Sequence, residues 1–231
     1  TNNVYSFELE HLICQYVTCL STSHDNAWLW HRRLGHCSMN LLENLVKKNI
    51  VRDMPKIKFS KDKIRDVCQL GKQHKNSFKA KFFISTKRAL ELLYMDLVRH
   101  IDVASIGGSK YAFVIIDDFT RFTWVVFLAH KNDAFHEFSK LCRRLQNEKG
   151  YFVTSIRSDH GTEFENTSFM HFCDEHGISH NFLAPYKPKQ NGVMERKNQT
   201  LQEMARMMLI DNGLPTLFWS EAINTARYVQ N

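Results

Sequence analysis

Three acids in this 231-residue chain stand where phosphate chemistry would need them. Asp96 lies near the end of an apolar run, Leu90 to Val98. Asp159 follows a β-like stretch, within Arg157-Ser158-Asp159-His160-Gly161-Thr162-Glu163-Phe164. Glu195 opens a helix-like stretch, within Gln190-Asn191-Gly192-Val193-Met194-Glu195-Arg196-Lys197-Asn198, and 35 residues separate it from Asp159. Hard divalent ions such as Mg²⁺ or Mn²⁺ prefer oxygen ligands. Two such ions about 3.5–4 Å apart can clamp the attacking and leaving oxygens of a phosphodiester. Each acid also has an ordinary explanation: Glu suits the first turn of a helix, and Asp at a strand end caps a turn. On chemistry alone, Asp102, Asp117, Asp118 and Glu163 compete for the same role.

Positioning such acids requires strand ends and a helix start to converge. The apolar spacing predicts a helix over 28–48 and a first strand over 90–98. Two aromatic and β-branched runs, 111–117 and 122–128, flank the polar break Asp117-Asp118-Phe119-Thr120-Arg121 and read as a hairpin. An amphipathic helix follows over 132–149, with Gly150 as its stop. A strand over 151–157, a helix over 166–176 closed by Gly177, and a strand over 178–183 come next. A Pro- and Gly-bearing loop then leads to helices over 193–210 and 215–230. On the first of these, Leu201, Met204, Ala205 and Met208 form an apolar stripe, while Glu195, Gln199, Gln202 and Arg206 share a polar one. Glu195 can thus face a site while the other side packs, and the remaining polar residues can meet a passing nucleic-acid strand.

Charge is concentrated. The chain carries 31 Lys or Arg against 24 Asp or Glu, a net +7. Residues 47–88 hold fourteen of the cations and three acids, a local +11 that leaves −4 for the remainder. Such a stretch is either an electrostatic footprint for a polyanion or a solvated basic surface. Hydrophobic content of 43% excludes wholesale disorder. No apolar run approaches the ~18–20 residues that span a bilayer. Six cysteines form no dense framework, which favours a reducing compartment with thiols that pack or bind metal. A chain that opens on Thr1 and stops after Tyr228-Val229-Gln230-Asn231 is expected to be a segment of something longer.

The ordered motifs resemble the integrase region of copia-type long-terminal-repeat retrotransposons, including the gag-pre-integrase module before the catalytic core. The matching stretches are Leu29-Trp30-His31-Arg32-Arg33-Leu34-Gly35-His36, Cys68-Gln69-Leu70-Gly71-Lys72, Ile115-Ile116-Asp117-Asp118-Phe119-Thr120-Arg121 and Ser158-Asp159-His160-Gly161-Thr162-Glu163-Phe164. Ala184-Pro185-Tyr186, Gln190 to Lys197, Met204-Ala205-Arg206 and Leu214-Pro215 follow in order. The resemblance implies an α/β fold, an RNase H-like mixed sheet flanked by helices and preceded by a small helical zinc-binding-type module. It implies the triad Asp96, Asp159 and Glu195 holding two Mg²⁺ or Mn²⁺ ions for DNA strand transfer. It is the resemblance that selects Asp96 over Asp102 or Asp117. The expected organisation is a connector over 1–27, the basic gag-pre-integrase module over 28–80, a linker over 81–89, and a core over 90–231 truncated at its C-terminus. Gln190, Asn191, Lys197, Gln199 and Gln202 are expected to contact DNA.

The same resemblance implies a zinc site. Its histidine pair is His31 and His36, and Cys68 matches the second of two cysteines spaced by two residues. The first falls at Arg65, which cannot ligate zinc. Three ligands plus water could still hold the ion, with Cys37 or His74 as substitutes lacking the family spacing. A second departure follows Asp96: relatives commonly continue Leu-Cys-Gly-Pro, and this chain has Leu97-Val98-Arg99-His100. Both departures favour a rival expectation, a degenerate or domesticated copy that only binds nucleic acid. An RNase H-type nuclease on the same fold is the more distant rival. The expected partners are element ends and target DNA and further copies of the chain, with no membrane. The working site would be the nucleus, after cytoplasmic synthesis in a virus-like particle.

Overall fold

A computed structural model describes residues 26–55, 68, 86–99, 103–182 and 192–231. Its elements are helices α1 (Asn26–Arg33) and α2 (Met39–Lys47), then strands β1 (Leu92–Arg99), β2 (Tyr111–Asp117) and β3 (Thr123–Leu128). Helix α3 (Ala134–Lys149), β4 (Ser155–Ser158), α4 (Thr167–His176), β5 (Ser179–Phe182), α5 (Gly192–Asp211) and α6 (Trp219–Gln230) complete them. The strands form one sheet in the order β3-β2-β1-β4-β5. β2 runs antiparallel to β1 and β3, while β4 runs parallel to β1 and β5. Three antiparallel strands continued by two parallel ones, with helices on both faces, is the RNase H-like arrangement that the motifs imply.

Alternation explains why the sheet is covered twice. Leu93 and Met95 of β1 and Phe113 and Ile115 of β2 point into a core with Phe138, Leu141 and Leu145 of α3 and Phe169 and Phe172 of α4. Their neighbours Leu92, Tyr94, Val114 and Ile116 point the other way, against Met194, Leu201, Met204 and Met207 of α5 and Ala226 of α6. A central strand buried on both faces reads as a continuous apolar run, as Tyr111 to Ile116 does. Cys142 and Cys173 lie inside the first core, where burial pushes their thiols up to about 12 and about 11. These two cysteines are packing groups.

Capping fixes the helix ends around the sheet. Asn166 accepts from the Phe169 amide at 3.0 Å at the start of α4. Gly150 and Gly177 close α3 and α4 at φ +68° and +62°, the left-handed conformation expected of both stops.

Two expectations need correction. The helix predicted over 28–48 is two helices, broken at Gly35 and His36, which adopt φ +65° and +58°. Apolar spacing survives such a break, so it gave no warning. The strand expected over 151–157 starts only at Ser155, with Tyr151 and Phe152 exposed. β4 can pair only where β1 extends, beginning at Leu92 opposite Ser155. The connector and linker segments, most of the basic stretch beyond residue 55, and Asp102 lie outside the described residues.

Candidate active site and metal centre

Strand register brings the first two acids together. β1 and β4 pair as Leu92 with Ser155, Leu93 with Ile156 and Tyr94 with Arg157. The same offset puts Asp96 level with Asp159, just past the end of β4. The carboxyl ends of parallel strands are where open α/β sheets place ligands. Burial and then the Asp159 charge raise Asp96 to a pKa of about 6, against the pull of the Leu97 amide and Asn198. Desolvation and a neighbouring like charge both disfavour the ionised form of a carboxyl group.

Helix α5 reaches the same place. The Asn198 amide donates to Asp96 Oδ2 at 2.6 Å, and the Leu97 amide donates to Oδ1 at 2.9 Å. Asn198 is 8% exposed. Glu195 lies one turn earlier on the same helix, at the i, i+3 spacing that shares a face, and is exposed. The three acids are not drawn into a tight ligand group. Lys197 is half-buried, and burial lowers its pKa. The Gln199 amide donates to Glu203 at 2.9 Å, while Gln202 is half-buried on the next turn. Gln190 and Asn191 fall outside the described residues.

The competing acids separate by their partners. Asp117 is buried and accepts from the Leu90 and Thr120 amides, both at 2.9 Å, and from the Thr120 hydroxyl at 2.6 Å. Asp118 accepts from the Thr86 hydroxyl at 3.1 Å and faces Arg121 at 3.0 Å. These two acids organise the β2–β3 turn. Glu163 is different. Its side chain is 8% exposed, folds back over Gly161, meets Lys131 at 3.5 Å, and adds to the field that raises Asp96. Behind Asp159, the Ser158 hydroxyl donates to the Asp159 carbonyl at 3.0 Å and is held by His180 Nε2 at 2.9 Å. Burial lowers His180 to about 4, so its ring is neutral at physiological pH and Nε2–H donates.

Among the described residues, one group of three or more His, Cys, Asp or Glu side chains places its ligand atoms within 4.8 Å of one another: His31, His36 and Cys68, all buried. His31 Nε2 lies 3.3 Å from Cys68 Sγ, and His36 Nδ1 lies 3.7 Å from it. A tetrahedral zinc with ordinary Zn–N and Zn–S bonds separates its nitrogen and sulfur ligands by about 3.6 Å. The donor set therefore fits zinc at three corners. The kink at Gly35 makes this possible, because an unbroken helix would aim residues 31 and 36 roughly 140° apart. Arg65 and His74 lie outside the described residues.

Sequence reasoning passed over Asn198, Asp211 and the specific place of Glu163. Asn198 had a signal: it interrupts the buried stripe Met194, Leu201, Ala205 with an amide. Asp211 had one too, as an acid ending a helix whose dipole disfavours it there.

The Integrase core domain family model matches residues 86–188, and the GAG-pre-integrase domain model matches residues 3–73. The chain is 37% identical over 222 residues to the Retrovirus-related Pol polyprotein from transposon TNT 1-94 of Nicotiana tabacum, covering 95% of this chain and 16% of the relative. It is 29% identical over 216 residues to the corresponding polyprotein from transposon RE2 of Arabidopsis thaliana, covering 92% of this chain and 14% of the relative. The chain thus spans about a sixth of the length of these curated relatives. Among solved structures it is similar to the HTLV-2 integrase catalytic core domain in complex with magnesium (dimeric form). That likeness has 19% identity and a TM-score of 0.45, and covers 62% of this chain and 87% of the other. The core-domain match defines an integrase core of the polynucleotidyl transferase superfamily. With the preceding GAG-pre-integrase domain and the Pol polyprotein relatives, the chain belongs to the integrase region of copia-type retrotransposon Pol polyproteins.

Proposed function

We propose that this chain carries out DNA strand transfer. A 3′-hydroxyl of element DNA attacks a target phosphodiester; the new P–O bond forms as the bond to the target's own 3′ oxygen breaks, and that oxygen leaves with the proton. The observation that carries the reading is the level placement of Asp96 on β1 and Asp159 just past the end of the parallel strand β4, with Asn198 of α5 bonded to Asp96 and Glu195 one turn away. Asp96, Asp159 and Glu195 would hold the ions, whose charge supplies Lewis acidity and offsets the repulsion of gathered carboxylates. Asn198 orients Asp96, and the His180–Ser158 pair steadies the backbone at Asp159. Lys197, Gln199 and Gln202, with Gln190 and Asn191, would meet DNA along the same helix and the loop before it. His31, His36 and Cys68 would hold a structural zinc. The working assembly is a homo-oligomer on paired DNA ends in the nucleus, built from a module over 28–80 and a core over 90–231.

A pre-processed element-end duplex supplied with Mn²⁺ and a target plasmid tests this. Joining is expected, with a loss of 100-fold or more on Glu195→Gln, the range seen when a main electrostatic contributor is removed. No joining by the wild type, or equal joining by the variant, overturns the catalytic reading. The second reading, a nucleic-acid-binding copy without catalysis, is favoured by Arg65 and by the exposure of both Asp159 and Glu195. It predicts duplex binding with no joining at any metal concentration.

A further inference from the structure

Among the described residues, the N-terminal module makes its charged contact with the core at Asp211, the last residue of α5. Arg32 Nε of α1 contacts Asp211 Oδ2 at 2.8 Å, and its Nη2 donates to Oδ1 at 3.3 Å. His36 Nε2 faces the same Oδ2 at 3.7 Å. The Asp211 side chain is 6% exposed. A carboxylate at a helix C-terminus opposes the macrodipole, and the Arg32 guanidinium offsets that penalty. Gly35 lies against α5 so closely that a Cβ there would collide with the Met204 methyl. The kink that creates the His31–His36 pair is therefore also the point of docking.

The ring nitrogens show what the contact is for. Nδ1 of His31 donates to the Cys37 carbonyl at 2.8 Å, which leaves the Nε2 lone pair for the metal group. His36 is turned the opposite way: Nδ1 faces Cys68 and Nε2 faces Asp211. A carboxylate at Nε2 favours the proton there and leaves the Nδ1 lone pair for an ion. Metal-ligating histidines generally have their second nitrogen bonded to a carbonyl or carboxylate, which sets tautomer and ring orientation. Asp211 lies on the far side of the ring from Cys68, so it serves as a partner to the ligand and is not itself a ligand. His36 also holds φ +58°, a conformation that costs energy in a non-glycine residue and clusters at functional sites.

We infer that Asp211 of the integrase core is the outer partner of His36, so that zinc held by His31, His36 and Cys68 locks the N-terminal module onto helix α5. The inference rests on the zinc reading proposed above. The metal site is thereby shared: its ligands belong to the module, and the group that orients one of them belongs to the core. Zinc loading then reports on docking, and loss of docking weakens zinc.

The test measures Zn²⁺ affinity of the whole chain by competition with a chromophoric chelator, for wild type and Asp211→Asn. A 10- to 100-fold weaker affinity in the variant is expected, the usual cost of losing such an outer partner. Unchanged affinity overturns the inference while leaving the zinc reading in place. A wild type that binds no Zn²⁺ overturns the zinc reading and the inference with it. A second measurement needs no variant: ¹⁵N-detected histidine spectra of the Zn²⁺-loaded wild type are expected to show His36 bound through Nδ1 and protonated at Nε2. Binding through Nε2 overturns the inference.

Discussion

Asp96 illustrates how far one side chain's environment reaches. Its acidity is that of a group for which charge is costly, since its folded pKa of about 6 lies above the 3.8 of an unfolded chain. The folded state therefore keeps a proton that the unfolded state releases. Between those values stability falls as pH rises, the penalty is complete above about 6, and it is absent below about 4. In chelator-treated protein, Asp96→Asn is expected to match wild type near pH 4 and exceed it above pH 6. A shift of that size corresponds to a gap of about 2–3 kcal/mol. Denaturant midpoints across this range check it, and parallel curves for the two proteins would contradict the assigned environment. Asp117 opens the turn motif and is more deeply buried than the half-buried Asp96, yet its three donors commit it to holding the β2–β3 turn. Neither fate is visible in residue type. Each depends on which donors the fold delivers.

Helix ends decide much of the geometry at the scale of elements. Gly35 and Gly177 share left-handed backbone, but only Gly35 is also in close contact. Gly177→Ala meets nothing and is expected to cost about 1 kcal/mol of left-handed strain. Gly35→Ala adds a collision with Met204 and is expected to cost about 2–4 kcal/mol, with loosened docking of α1 on α5. Thermal or denaturant unfolding of the two variants measures the difference, and equal costs would contradict the close packing. Stop signals such as Gly150 and Gly177 were legible because a left-handed cap is a local property. The break at Gly35 was not, because Leu34, Leu41, Leu42 and Leu45 keep near-helical spacing across it. Helix α5 performs three tasks along its length. Its start carries Glu195 and Asn198 toward the acids, its middle buries Met204 and Leu201, and its last residue meets the module.

The distribution of charge belongs to the whole molecule. Fourteen cations within residues 47–88 stand against a net −4 for the rest of the chain, whose described surface includes Asp159 and Glu195. Polyanion affinity should therefore come from the basic stretch, and it should be steep in salt because neutralised phosphates release counterions. If about six of the cations contact phosphate, duplex affinity is expected to fall about 10³-fold between 50 and 200 mM salt. Fluorescence anisotropy with a random-sequence duplex measures the slope, and a flat response would rule out this stretch as the anchor. No described helix is long and apolar enough to cross a membrane.

The sequence by itself determined the alternation that buries β1 and β2 on both faces, the helix stops, the order of the motifs and the identities of the candidate acids and ligands. These follow from local spacing and residue chemistry, which need no knowledge of partners. Tertiary structure decided that Asp96 and Asp159 stand level, that Asn198 bonds one of them, that the chain kinks to pair His31 with His36, and that Asp211 joins module to core. Apart from the kink, which is a local turn of left-handed backbone, each of these is a meeting of residues far apart in the chain. Strand register and helix docking produce such meetings, and both arise from the sum of many apolar contacts rather than from any motif.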